Sequence, residues 1–106
     1  MKVIYVAGPF RAENPCEIER NIRRAEEAAL RLWREGWSVV CPHANTRFGQ
    51  GVLPEATFLV GDLEILRRCE AIYMLAGWEK SKGATEERKL AMALQIGIHN
   101  QPGREG

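Results

Sequence analysis

The sequence holds 106 residues, and its 15 Lys and Arg against 14 Asp and Glu leave a formal net charge of +1. Apolar residues make up 45% and charged residues 27%, a composition that buries a core rather than staying disordered. The length suits one domain, and the near-neutral charge argues against a protein that coats nucleic acid, which needs a basic excess to displace counterions.

Val3-Ile4-Tyr5-Val6-Ala7 reads as a buried strand: short, rich in β-branched residues and ended by Gly8-Pro9. It is too short for a secretory signal. No apolar run approaches the roughly 18 residues that span a bilayer. The expected compartment is the cytoplasm, without membrane contact. Asn14-Pro15 opens a helix, with Asn14 as N-cap, Pro15 at the first helical position and Glu17 three residues after the cap. Its apolar face is Ile18, Ile22, Ala25, Ala29, Leu32 and Trp33, and Gly36 ends it. Trp37 to Cys41 reads as a second strand stopped by Pro42, followed by a loop from His43 to Leu53. Pro54 to Arg68 reads as a second helix, with Phe58, Leu59, Leu63 and Leu66 as core positions. Ala71 to Ala76 is a third strand. A loop from Gly77 to Lys82 leads to a third helix from about Gly83 to Gln95, and Ile96 to His99 adds a last short strand. The domain is expected to span residues 1–99, with 100–106 as a frayed tail.

Strands alternating with helices predict parallel strands joined by right-handed crossovers. The expected architecture is α/β: a single-domain, three-layer, Rossmann-like (flavodoxin-like) fold with a four- to five-stranded parallel sheet. Ligands bind such sheets outside the carboxyl ends of the strands, where the strand order reverses. That places Gly8 to Arg11, Cys41 to Asn45 and Gly77 to Glu87 around one crevice. A glycine at position 8 lets backbone approach a ligand, and Arg11 can hold a phosphate or carboxylate. A plain strand-to-loop turn with a solvated arginine explains the same residues. Neither G-x-G-x-x-G nor G-x-x-x-x-G-K-[ST] occurs, so the dinucleotide and P-loop readings lose their warrant. Ser81, Gly83 and the free N–H groups of a helix start make an anion site. Glu87 falls in the first turn, where the macrodipole favours the ionised form, and an ionised carboxylate is a usable nucleophile toward a sugar carbon. Glu86 and Glu87 lie about 100° apart on a helix, so only one faces the crevice. Acidic residues placed only to stabilise the helix start are the plainer alternative. Asp62, beside Gly61, is a surface aspartate or the second carboxylate of a general acid/base pair. Trp78 stacks on a base or forms a hydrophobic lid. Cys41-Pro42-His43 supplies two ligands where zinc wants three or four, so no metal is expected. Cys16, Cys41 and Cys69 give no disulfide framework and read as small buried apolar residues.

Taken together, Ile4-Tyr5-Val6-Ala7-Gly8, the segment Asp62 to Glu70 and Ser81-x-Gly83-x-x-x-Glu87-x-x-x-Ala91 resemble the nucleoside 2-deoxyribosyltransferase superfamily. The resemblance is greatest to its small members with A-G-P-[FY], C-P-H-x-N and G-W-x-x-S-x-G-A, and it runs from Lys2 to about Ile98. It implies a Glu87 nucleophile that attacks the anomeric carbon, an Asp62 that helps protonate the departing base, and a Tyr5 hydroxyl on the glutamate. Ser81, Gly8 and Arg11 match the phosphate-binding positions of the related deoxynucleoside 5′-monophosphate N-glycosidase. Pro9, Phe10, Trp78 and Gly83 complete the expected substrate-binding set. The implied substrate is a (deoxy)nucleoside, as its 5′-monophosphate, cleaved or transferred without metal or organic cofactor. The implied assembly is a homodimer or homotetramer, and no nucleic acid polymer is a partner. The rival readings are a non-catalytic nucleotide-binding module on the same fold and a structural oligomerisation protein.

Overall fold

The computed structural model describes residues 2–49 and 51–103. The apolar run forms strand β1 (Val3–Ala7), buried from Ile4 onward. Helix α1 (Pro15–Arg34) begins as its sequence dictates: the Asn14 side chain accepts the Glu17 N–H at 2.9 Å, and Pro15 occupies the first turn. Gly36, at φ +99°, turns the chain out of the helix. Strand β2 (Ser38–Val40) is shorter than expected, because Trp37 N–H still bonds to Leu32 at the helix end and Cys41 already caps helix α2 (Pro42–Asn45). The expected loop from His43 therefore holds α2 and a 3-10 turn, Arg47–Gly49. Then follow helix α3 (Glu55–Leu66), strand β3 (Ala71–Met74), a 3-10 turn (Trp78–Lys80), helix α4 (Lys82–Ala93) and strand β4 (Gly97–Asn100).

The four strands pair in parallel in the order β2-β1-β3-β4. Strand alternation sends Ile4 and Val6 to one face, against Ala25, Ala28, Ala29 and Leu32 of α1. Tyr5 and Ala7 point to the other face, with Leu66 of α3 and Ala84 and Ala91 of α4. The result is a three-layer, Rossmann-like α/β fold. Its order reverses between β1 and β3, the point at which such sheets hold ligands.

Several sequence expectations need correction. Only Leu66 of the α3 core positions is fully buried, while Phe58, Leu59 and Leu63 are half-buried. Helix α3 is apolar on several sides, so helical spacing could not select one face. Of the expected α1 face, Trp33 is 50% exposed and Ile18 half-buried, and α1 buries Ala28 in their place. Cys16 is exposed and Cys41 half-buried, leaving Cys69 as the buried cysteine. Asn100 belongs to β4 rather than to a tail, since pairing with β3 holds it. Beyond it, Gln101 N–H bonds to the Met74 carbonyl, and its side-chain oxygen accepts the Ala76 N–H at 2.8 Å. Positions 104–106 of the expected tail lie outside the described residues. No described helix is long and apolar enough to cross a membrane.

Candidate active site

Position 5 lies mid-strand, and the alternation that buries Ile4 and Val6 under α1 turns Tyr5 toward α3 and α4. Its hydroxyl donates to Oε2 of Glu87, a buried contact that links β1 to α4 across 82 residues of chain. Asp62, half-buried on α3, completes the cluster. Burial pushes the Glu87 carboxyl up to about 7; the Tyr5 hydrogen bond pulls it down and the Asp62 charge adds to the rise. Burial raises Asp62 to about 6. Burial, then the charges of Glu87 and Asp62, push the Tyr5 phenol far above its usual range, so it stays protonated and acts as a donor. One phenol and two carboxyl groups, remote in sequence, thus share one electrostatic environment.

The expectation that the helix dipole would favour ionised Glu87 is overturned. Ser81, not Gly83, sets the start of α4: its Oγ accepts the Ala84 N–H at 3.1 Å. With Lys82 as the first helical residue, Glu87 falls in the second turn, where the dipole has faded. Desolvation decides its ionisation instead. Glu86, one residue away, is exposed and pairs with Lys89 at 3.7 Å, so Glu87 alone faces inward.

Ser81 is thus a cap whose hydroxyl proton remains free to donate to an anion. Ser81→Ala should cost about 1 kcal/mol through the lost cap alone. That is a fall of several degrees in the thermal midpoint, readable by circular dichroism whatever the ligand. A Cβ built on Gly83 would meet nothing within 4 Å, so space lies open beside this helix start.

The loop after β1 is held from several sides. A Cβ on Gly8 would lie 2.6 Å from the Leu75 side chain, so glycine is required here for packing against the β3 end. This packing need stands beside the expected role of letting a ligand approach. Gly8→Ala should cost about 1–3 kcal/mol by overpacking, measured by denaturant unfolding. His43 sets its Nε2 2.9 Å from the Pro9 carbonyl, and the Asn21 amide donates to the Phe10 carbonyl at 3.1 Å. The Phe10 ring meets the His43 imidazole edge-on at 5.5 Å. Burial lowers the His43 pKa, so the imidazole is neutral and holds Pro9 through its Nε2–H. Both supports were missed from sequence. The sequence cues to His43 are the Cys-Pro-His run and its place in the segment after β2, neither of which points to a hydrogen bond with Pro9.

Arg11 is exposed and forms an ion pair with Glu55 at the start of α3. An exposed pair of this kind is weak and yields to a stronger anion. Trp78 is half-buried, and the Arg88 guanidinium lies over its ring at 4.9 Å, so one face of the indole is already engaged. Glu70 sits at the amino end of β3 and accepts the Val3 N–H, a role in closing the sheet end opposite the loops. Among the described residues, no three His, Cys, Asp or Glu side chains gather as metal ligands.

The fold is similar to that of a solved 2-desoxiribosyltransferase from Leishmania mexicana, at a TM-score of 0.64 and 19% identity. That match covers 94% of this chain and 63% of that one, so the chain spans under two thirds of the Leishmania protein's length. A 2-deoxyribosyltransferase from the psychrotolerant bacterium Bacillus psychrosaccharolyticus is equally similar, at a TM-score of 0.64 and 22% identity over 98% of this chain and 75% of that one. No curated protein matches the sequence. Residues 2–100 match the family described as "Domain of unknown function (DUF4406)", and the chain belongs to that family.

Proposed function

We propose that the protein is an enzyme that cleaves or exchanges the N-glycosidic bond of a (deoxy)nucleoside, with the 5′-monophosphate as its substrate form. The observation that carries this reading is the buried hydrogen bond from Tyr5 to Glu87, with the Asp62 charge beside it. Tyr5 fixes Oε2 of Glu87 and leaves Oε1 to attack C1′. The C1′–N bond breaks as the C1′–O bond to Glu87 forms, and the departing base takes a proton from Asp62. Water, or a second base, then displaces Glu87 from C1′ with net retention, returning the proton to Asp62. In the form that reacts, the one proton of the pair sits on Asp62, so Glu87 attacks as the carboxylate and the positive charge growing at C1′ favours it. Ser81, the helix start at Gly83 and Arg11 would hold the phosphate, and Pro9, Phe10 and Trp78 would border the base. No metal or organic cofactor takes part in this scheme. The same reading makes the molecule a homodimer or homotetramer, in which a second copy would cover exposed apolar side chains such as Phe48, Val52, Leu53 and Val60.

The test is incubation with deoxynucleosides and their 5′-monophosphates, following free base by chromatography. Base released from the monophosphates, and lost in Glu87→Gln, supports the reading. One observation favours a second reading, a non-catalytic nucleotide-binding module: Glu87 holds its proton up to about pH 7 and is a poor nucleophile while it does. Tight binding of the monophosphates without release of base would select that alternative.

A further inference from the structure

A cleft of about 300 Å³ opens on the α1 side of the sheet. Tyr5, Asp62 and Glu87 lie on the opposite face and do not line it. Its walls are one stripe of α1 (Asn21, Arg24, Glu27 and Arg31), the β3 end and Gln101. Pro9 and Gly77 close it at the carboxyl edge of the sheet.

We propose that this cleft is a second binding site, for a sugar phosphate. Among the described residues neither Arg24 nor Arg31 takes part in an ion pair, although Glu27 stands between them at pairing spacing. The two arginines stand seven positions apart, about 10 Å along the helix axis, and both long side chains border the same space. Two unpaired guanidinium groups on one cavity suit a phosphate monoester. The remaining polar groups ask for more than an anion. The Gln101 carbonyl is committed to Ala76 N–H, so its amide NH2 is left to donate. The Asn21 NH2 is committed to Phe10, so its carbonyl is left to accept. Glu27 accepts as well. A ligand with a dianion at one end and hydroxyl groups at the other satisfies all five side chains. Leu75 and Pro9 give the carbon skeleton an apolar surface. The cavity volume is of the order that such a molecule fills, and the position is the strand-order reversal that favours ligands. The inference does not rest on the reaction proposed above.

The test is a titration of the isotope-labelled full chain with ribose 5-phosphate, ribose and inorganic phosphate, read by amide chemical shifts. Ribose 5-phosphate should saturably shift Ala76, Gln101 and the Asn21 side-chain NH2, while ribose alone should not. Joint Arg24→Ala and Arg31→Ala substitution should weaken that binding at least about tenfold, the loss of one charge-assisted contact or more. Alanine suits an exposed helix face, so the variant keeps its fold, and Arg24→Lys gives a second check with the charge retained and an intermediate loss. Arg34→Ala, off the cleft, should leave the affinity unchanged. No shift at millimolar concentration would overturn the proposal, as would shifts confined to Ser81–Glu87 or equal affinity in the double variant. Inorganic phosphate binding as tightly as ribose 5-phosphate would overturn the sugar-phosphate assignment.

Discussion

Glu87→Gln should release free base from a deoxynucleoside 5′-monophosphate at least roughly a thousandfold more slowly than the parent protein, the scale of losing a nucleophile. Glutamine keeps the size of the side chain and an oxygen for the Tyr5 hydroxyl, so the buried contact and the fold survive. What disappears is the carboxylate that would bond to C1′. Asp62→Asn should act differently. It removes a proton donor worth about 10²–10⁴-fold, and its effect should shrink with substrates whose bases leave readily without protonation. Glu87 lies at about 7 and Asp62 at about 6, and the Asp62 charge adds to the rise at Glu87, so the two titrate as a pair. The productive form carries one proton between them, and kcat/KM should peak in the interval bounded by those two values. Equal rates for Glu87→Gln and the parent would remove Glu87 from the mechanism.

The same variant should stabilise the protein above neutral pH. Burial raises both carboxyl groups in the folded state, so each binds a proton that the unfolded chain has already released. Stability from this source is complete below the ordinary carboxylate range. It is lost as pH rises through about 6 for Asp62 and about 7 for Glu87. For Glu87, moving from 4.5 to about 7 corresponds to a loss of about 3 kcal/mol by pH 8. Glutamine cannot ionise and escapes that loss. Glu87→Gln should therefore melt roughly 10–20 °C above the parent at pH 8. By pH 5 most of that advantage should be gone. Asp62 is better solvated and adds a smaller share. Thermal unfolding of both proteins from pH 5 to pH 8 measures the difference; a gap that stays flat would show that Glu87 does not pass into a buried charged form.

What was legible in the sequence was local. Val3 to Ala7 has few conformations open to it besides a buried strand, and Asn14-Pro15 with Gly36 marks both ends of α1 within a residue or two. The pairing of Tyr5 with Glu87 and Asp62 was accessible through the resemblance; composition and spacing alone left each of the three with a plainer explanation. What was misread depended on the third dimension. The ionisation of Glu87 follows from how much of it is buried, which no neighbouring residue reports. The sequence puts the start of α4 at about Gly83, whereas the Ser81 cap makes Lys82 the first helical residue and places Glu87 in the second turn. Helix α3 carries apolar residues on more than one side, so its buried face could not be chosen. The supports of the β1 loop, His43 and Asn21, come from segments whose approach to Pro9 and Phe10 only the packed α1 layer decides.

Those two supports also set how the loop behaves toward a ligand. The Pro9 and Phe10 carbonyls are anchored from the α1 layer, on the far side from Glu87. The backbone has therefore surrendered its conformational freedom during folding, before any substrate arrives. A ligand bound at this edge would meet rigid docking rather than coupled ordering, and its selectivity would depend partly on His43, which holds the loop from behind.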